Sequence, residues 1–198
     1  MIMPIINQER IAVNNLQEES DKIIRQTQCW LDSVIIKHNI CPFAKKERDK
    51  GSIYFCVDQH SDISQALENL ILECERLESQ PEIETTLFML ACLGQDFNDY
   101  LNFLDMANQL LIAQGYEGVY QLASFHPEYC FADSETDDPA NYTNRSPHPT
   151  LHIIREQSLE QALQSYPNPE LIPERNVEYC NKLGLKKMQD MLADCQKK

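Results

Sequence analysis

The chain reads as a single α/β domain built on a mixed, mainly parallel sheet of about four strands packed with helices. Three observations predict this. Short β-branched and aromatic runs alternate with longer segments whose apolar residues recur at helical spacing. Two of those helical segments connect successive strands, which requires parallel pairing with right-handed crossovers. One long stretch, residues 126–149, has no period at all and precedes the last strand. A loop of that length inside a compact domain is commonly functional.

Residues 1–20 are weakly patterned and read as an N-terminal extension to a domain at 21–193. From Asp21 to His38 the apolar positions Ile23, Ile24, Trp30, Leu31, Val34 and Ile35 follow a helix. Asn39 and Pro42 end it, because proline disfavours helix in the residue before it. Residues 45–52 are a charged connector, and IYFCV at 53–57 is a strand. Residues 62–79 form an amphipathic helix through Ile63, Leu67, Leu70, Ile71, Cys74 and Leu77. TTLFMLAC at 85–92 is the second strand, 96–113 the next helix, and VYQLASF at 119–125 the third strand. Gly115 and Gly118 bracket the turn between them. A strand at TLHIIR, from 150, follows no crossover helix, so it is expected to be antiparallel. A short helix from Ser158 to Ser165 and a long one from Pro173 to about 193 complete the chain, with Gly184 set to bend or split the latter.

Composition removes several classes of function. Of the 198 residues, 31 are acidic and 17 basic, a formal charge of −14. Nucleic acid would need a concentrated basic surface, and an anionic membrane would need a basic patch. No apolar stretch is long enough to span a bilayer, and the N-terminus lacks a basic start followed by a long apolar run. The cytoplasm is the expected location, where the eight cysteines would stay reduced. None of them forms a CxxC pair, so neither a zinc ribbon nor a thioredoxin-type motif is expected.

Candidate chemistry gathers around the long loop. Ligands in open α/β sheets collect at the carboxyl ends of parallel strands. The third strand delivers SFHPEY, residues 124–129, to that end, and an antiparallel fourth strand would bring Arg145, Ser146, His148 and His152 to the same place. His126 would exchange protons or bind a metal; the alternative is a loop histidine bonded to a backbone carbonyl. His152 would assist it, or is a satisfied core residue. Arg145 would hold an anion with its planar fork, or a loop carboxylate. Cys41, in NICPFA at 39–44, would be a nucleophile, a metal ligand or a buried thiol. Pro147 and Pro149 hold their segment extended. DSETDD at 133–138 lacks the glycine and terminal glutamate of a calcium loop. No phosphate loop, dinucleotide fingerprint, GxSxG or HExxH is present.

CPFA at 41–44, ASFHPEYCFA at 123–132 and DDPANYTNRSPHPTLHIIRE at 137–156 resemble a bacterial family known as domain of unknown function 1415, over roughly residues 26–185. The resemblance implies that Cys41, His126, Asn144, Arg145, Ser146 and His152 belong to the family pattern, with tyrosine usual where this chain has His148. It implies a site and no chemistry. Two functions remain open. One is an enzyme acting on a small anionic metabolite held by Arg145, Asn144 and Ser146, with acid–base chemistry at His126 and His152 and Cys41 as nucleophile or wall. Its metal-assisted form has Cys41, His126 and His152 around Zn²⁺ or Fe²⁺. The other is a non-catalytic ligand-binding or adaptor protein in which the loop cluster serves structure.

Overall fold

The computed structural model describes the backbone of residues 5–198 and the side chains from residue 13 onward. The first four residues of the expected extension lie outside that range. Strands form at the four β-branched runs: β1 Ile53–Asp58, β2 Thr85–Leu90, β3 Tyr120–Phe125 and β4 Thr150–Arg155. Their order is β1-β2-β4-β3. β1 and β2 pair in parallel, and β4 pairs antiparallel with both β2 and β3. Three strands therefore run one way, while the late, reversed β4 lies between the second and third. All six residues of β2 are buried, as befits a strand covered on both faces.

The helices are α1 Ile5–Trp30, α2 Ala44–Lys50, α3 Ile63–Ser79, α4 Phe97–Ala113, α5 Glu156–Ser165, α6 Ile172–Leu183 and α7 Leu185–Gln196. Asp62 and Asp96 cap α3 and α4 by accepting from backbone N–H groups of the first turn. The long C-terminal helix is split at Gly184, whose φ of 80° favours glycine. α1 does not simply stop. It widens into a π-helical turn at Leu31–Ile36, where Lys37 N–H reaches Asp32 O and Ile40 N–H reaches Ile35 O. Asn39 then leaves the helix with a left-handed φ of 53°. Among the described residues no helix is long and apolar enough to cross a membrane.

The crossovers β1–α3–β2 and β2–α4–β3 advance in the same direction across the sheet. Right-handed connections then place both helices on one face. That face packs Phe88, Leu90, Leu151 and Ile153 against Leu70, Leu77, Tyr100 and Phe103. The opposite face presents Leu87, Met89 and Phe55 to α1, α6 and α7, through Trp30, Val34, Cys180 and Met188.

Candidate functional site

The strand alternation decides where the two histidines point. His152 pairs with Ala123 and Leu87, and Phe125 pairs with Thr150. These positions share the α1 face, so His126, one residue beyond Phe125, turns to the α4 face. There it lies fully buried between Phe97 and Tyr100, with ring centroids 5.1 Å away in each case. His126 Nε2 donates to Gly94 O at 2.9 Å, and Nδ1 accepts from Glu128 N–H at 3.0 Å. Gly94 has φ 62°, and a Cβ there would sit 3.2 Å from Tyr100. Burial holds the His126 pKa below the usual histidine range. Both ring nitrogens are engaged by backbone, so the expected general acid–base role at His126 finds no available atom.

The two segments that the sequence brings together do converge, through their main chains. His126 N–H donates to Asn144 O, and Ser146 N–H donates to His126 O. Arg145 turns its guanidinium to main-chain carbonyls. Its Nε donates to Tyr129 O at 3.0 Å and Nη2 to Thr136 O at 2.8 Å, with the guanidinium 4.6 Å from the Tyr142 ring centroid. Ser146, fully buried, donates to His148 O at 2.6 Å. Asn141, which sequence reasoning passed over, is also sealed; it accepts from Phe131 N–H and donates to Glu135 O. A 3-10 turn at Pro139–Thr143, capped by Asp138, completes the loop. Its X-Pro bonds are all trans. The expected anion ligands Arg145 and Ser146 thus tie residues 126–149 together, because this irregular backbone has carbonyls that no ladder satisfies.

The hollow lies elsewhere, on the α1 face. It is a cavity of about 960 Å³. Its floor is Ile53, Thr85, Leu87, His152, Ile154 and Phe125; its walls come from Trp30, Leu31 and Ile35, the turn at Ile40–Ala44, and the inner sides of α5 and α6. It spreads over the sheet instead of opening beyond the carboxyl ends. The reason is topological: with α3 and α4 on the same face, no crevice opens between diverging crossovers. Of the expected site residues, Cys41, Asn144 and His152 line this cavity, and His126, Arg145 and Ser146 do not. Lys46 and Lys50 lie at its mouth, and both pair with Glu47.

His152 is the polar centre of the floor. Its Nε2 is 2.7 Å from Thr85 Oγ1, which lies 2.5 Å from Ile153 O. Burial lowers its pKa to about 4, so the ring is neutral near pH 7. Cys41 is partly buried, and burial raises its pKa; the Phe43 and Ala44 N–H groups and the Arg175 guanidinium oppose that shift. The Cys41 group is therefore a thiol near neutral pH. Asn144 Nδ2 donates to Ser124 O at 3.1 Å, which fixes the side chain at the rim. His148 bonds Gln26 Oε1 at 2.6 Å, joining the loop to α1.

The proposed Cys41–His126–His152 metal set is not assembled, because the two imidazoles are on opposite faces of the sheet. Among the described residues no group of three or more His, Cys, Asp or Glu is placed to hold a metal ion. Thr85, Trp30, Phe125 and Ile154 are cavity residues that sequence reasoning missed. Only the unknown β2–β4 register could have placed Thr85 beside His152.

Residues 22–190 match the profile of the family described as "Protein of unknown function (DUF1415)". The chain belongs to this family. No curated protein and no solved structure matches it. Membership agrees with the expected resemblance and adds no reaction.

Proposed function

We propose that this DUF1415 protein binds a small, predominantly apolar and uncharged molecule in the cavity on the α1 face. One observation carries the reading. The sheet closes completely against α3 and α4 on one face, yet on the other leaves about 960 Å³ walled by aromatic and aliphatic side chains with a few inward polar groups. That combination is the usual form of a small-molecule site.

The anionic metabolite expected from Arg145 has less support. Arg145 is bound to main-chain carbonyls away from the cavity, and the two lysines at the mouth already face Glu47. An anion drawn inside would be desolvated without a partner. Acid–base catalysis is also less favoured than binding, since His126 has no available nitrogen and His152 is a weak base.

Nile red, a neutral solvatochromic dye, tests the reading. It should bind saturably with a blue-shifted emission and stabilise the protein by about 2.7 kcal/mol at a hundredfold excess over Kd. Ala162→Phe, on the cavity wall, should abolish both effects while leaving the fold intact by circular dichroism. Saturable binding that is the same in Ala162→Phe would place the dye elsewhere and overturn the proposal, as would no binding at all.

A further inference from the structure

The floor of the cavity contains one hydrogen-bonding direction that the protein leaves open. Thr85 Oγ1 has a single hydrogen and two close neighbours, Ile153 O at 2.5 Å and His152 Nε2 at 2.7 Å. A carbonyl has no proton to offer, so the hydroxyl hydrogen must lie on the Ile153 contact. Thr85 then accepts from His152, and Nε2 is the protonated nitrogen. The lone pair is left on Nδ1. That atom has no partner among the described residues and is not one of the sealed polar atoms. His152 lines the cavity, so Nδ1 opens into it.

The surroundings narrow what meets that lone pair. Phe125 lies beside the His152 ring, 6.4 Å between centroids, and Trp30 packs edge-on against Phe125 at 5.2 Å. Apolar, aromatic rings therefore border the cavity next to this imidazole. A carboxylic acid would enter as an anion and find no cation there. An ammonium group would lose its hydration on the floor, where the polar side chains are His152 and Thr85; of the carboxylates that line the cavity, Glu47 is paired with Lys46 and Lys50, and Glu84 is half-buried just ahead of β2.

We infer that the ligand is a neutral apolar molecule carrying a hydroxyl or amide N–H donor that docks on Nδ1 of His152, and that Thr85 is the positioning residue that sets this preference. The inference rests on the cavity being a small-molecule site. The Thr85 bond turns an imidazole that could serve as donor or acceptor into a fixed acceptor. A ligand lacking a donor leaves Nδ1 desolvated and unpaired, the arrangement by which buried polar groups discriminate between substrates.

Two aromatic probes of nearly equal shape test this: 2-naphthol, which has an O–H donor, and 2-methoxynaphthalene, which does not. On the parent protein 2-naphthol should bind about tenfold more tightly, the ratio given by one hydrogen bond of about 1.4 kcal/mol. In His152→Phe the two probes should bind within about twofold of each other, because the methoxy compound keeps its apolar contacts while naphthol loses its acceptor. Thr85→Val should shrink the preference without abolishing methoxynaphthalene binding. Nitrogen-15 NMR of the His152 ring supplies a readout that a merely structural Thr85 would not move. The parent at pH 7 should show protonated Nε2 and unprotonated Nδ1, Thr85→Val a mixture of tautomers, and naphthol a shift confined to Nδ1. Equal affinities in the parent, a preference that survives His152→Phe, or a proton on Nδ1 would each overturn the inference and leave the cavity reading standing. If neither probe binds, the cavity reading falls and this inference falls with it.

Discussion

The two faces of one sheet solve the same packing problem differently. On the α3–α4 face, Phe88, Leu90, Leu151 and Ile153 meet helices that present Leu70, Leu77, Tyr100 and Phe103, and every one of these side chains is essentially out of solvent. On the α1 face the same strands present Thr85, Leu87, His152 and Ile154, and the covering helices stand back from all four. The difference follows from connectivity. α3 and α4 are crossovers, tied at both ends to strands they must cover. α1, α5, α6 and α7 come from the chain's ends and share the second face between them. The π-helical turn at Leu31–Ile36 lies on the hollow side and contributes Leu31 and Ile35 to the cavity wall. The second face keeps a buried cluster of its own around Trp30, Met89, Cys180 and Met188, and the hollow opens beside it.

The contrast breaks most visibly under truncation. Phe88→Ala on the closed face should cost about 3–5 kcal/mol, read as a fall in the denaturation midpoint, because a rigid core cannot collapse around the lost ring. A pH titration of stability comes next. The folded-state pKa of His152, about 4, is below the unfolded value, so the unfolded chain takes up a proton that the folded one refuses. Stability contributed by the neutral ring is complete above about pH 6.5 and is lost as pH falls toward 4. Across that window the parent should lose about 2–3 kcal/mol more than His152→Phe, measured by urea unfolding at each pH. His148, also lowered to about 4 by burial with the Lys22 charge adding to it, adds a slope of the same sign.

Tyr100→Phe should cost about 1–3 kcal/mol by thermal unfolding. The Tyr100 hydroxyl donates to Thr150 O at 2.8 Å and accepts from Phe125 N–H at 3.1 Å, and both groups would be left without a partner on the closed face. The smallest effect should come from the hollow side. Leu159→Ala, on the cavity wall, should lower stability by less than about 1 kcal/mol, since the side chain already borders open space. A loss as large as that of Phe88→Ala would mean that the two faces are packed alike.

The elements were legible and their arrangement was not. Runs such as IYFCV and TTLFML have the β-branched and aromatic content of strands, and Leu67, Leu70, Ile71 and Cys74 have a helix period, so four strands and the intervening helices can be read locally. The split at Gly184 could be read the same way. Strand order could not, because the β2–β4 ladder joins Thr85 to Ile154 across most of the domain and leaves no local trace. The β3–β4 register was hidden in the same way, and it decides how the two histidines are placed. Without it, His126 and His152 read as neighbours, although the strand period puts Phe125 and His152 on one face and His126 on the other. Arg145 was expected to hold an anion or a loop carboxylate, and side-chain chemistry alone does not say that its guanidinium will meet carbonyls such as Tyr129 O. Cys41 was distinguished by leaving the helical pattern ahead of Pro42, and it does line the cavity.

The place of β4 within the sheet also governs how the chain can be born. During synthesis β2 and β3 emerge with a gap between them that only residues 150–155 can fill. Until the ribosome has released Arg155, both carry an unpaired backbone edge, and β2 is apolar along most of its length. Truncation just before Thr150 should therefore yield an aggregating fragment, and the nascent chain is most in need of chaperones during the interval between Phe125 and Arg155.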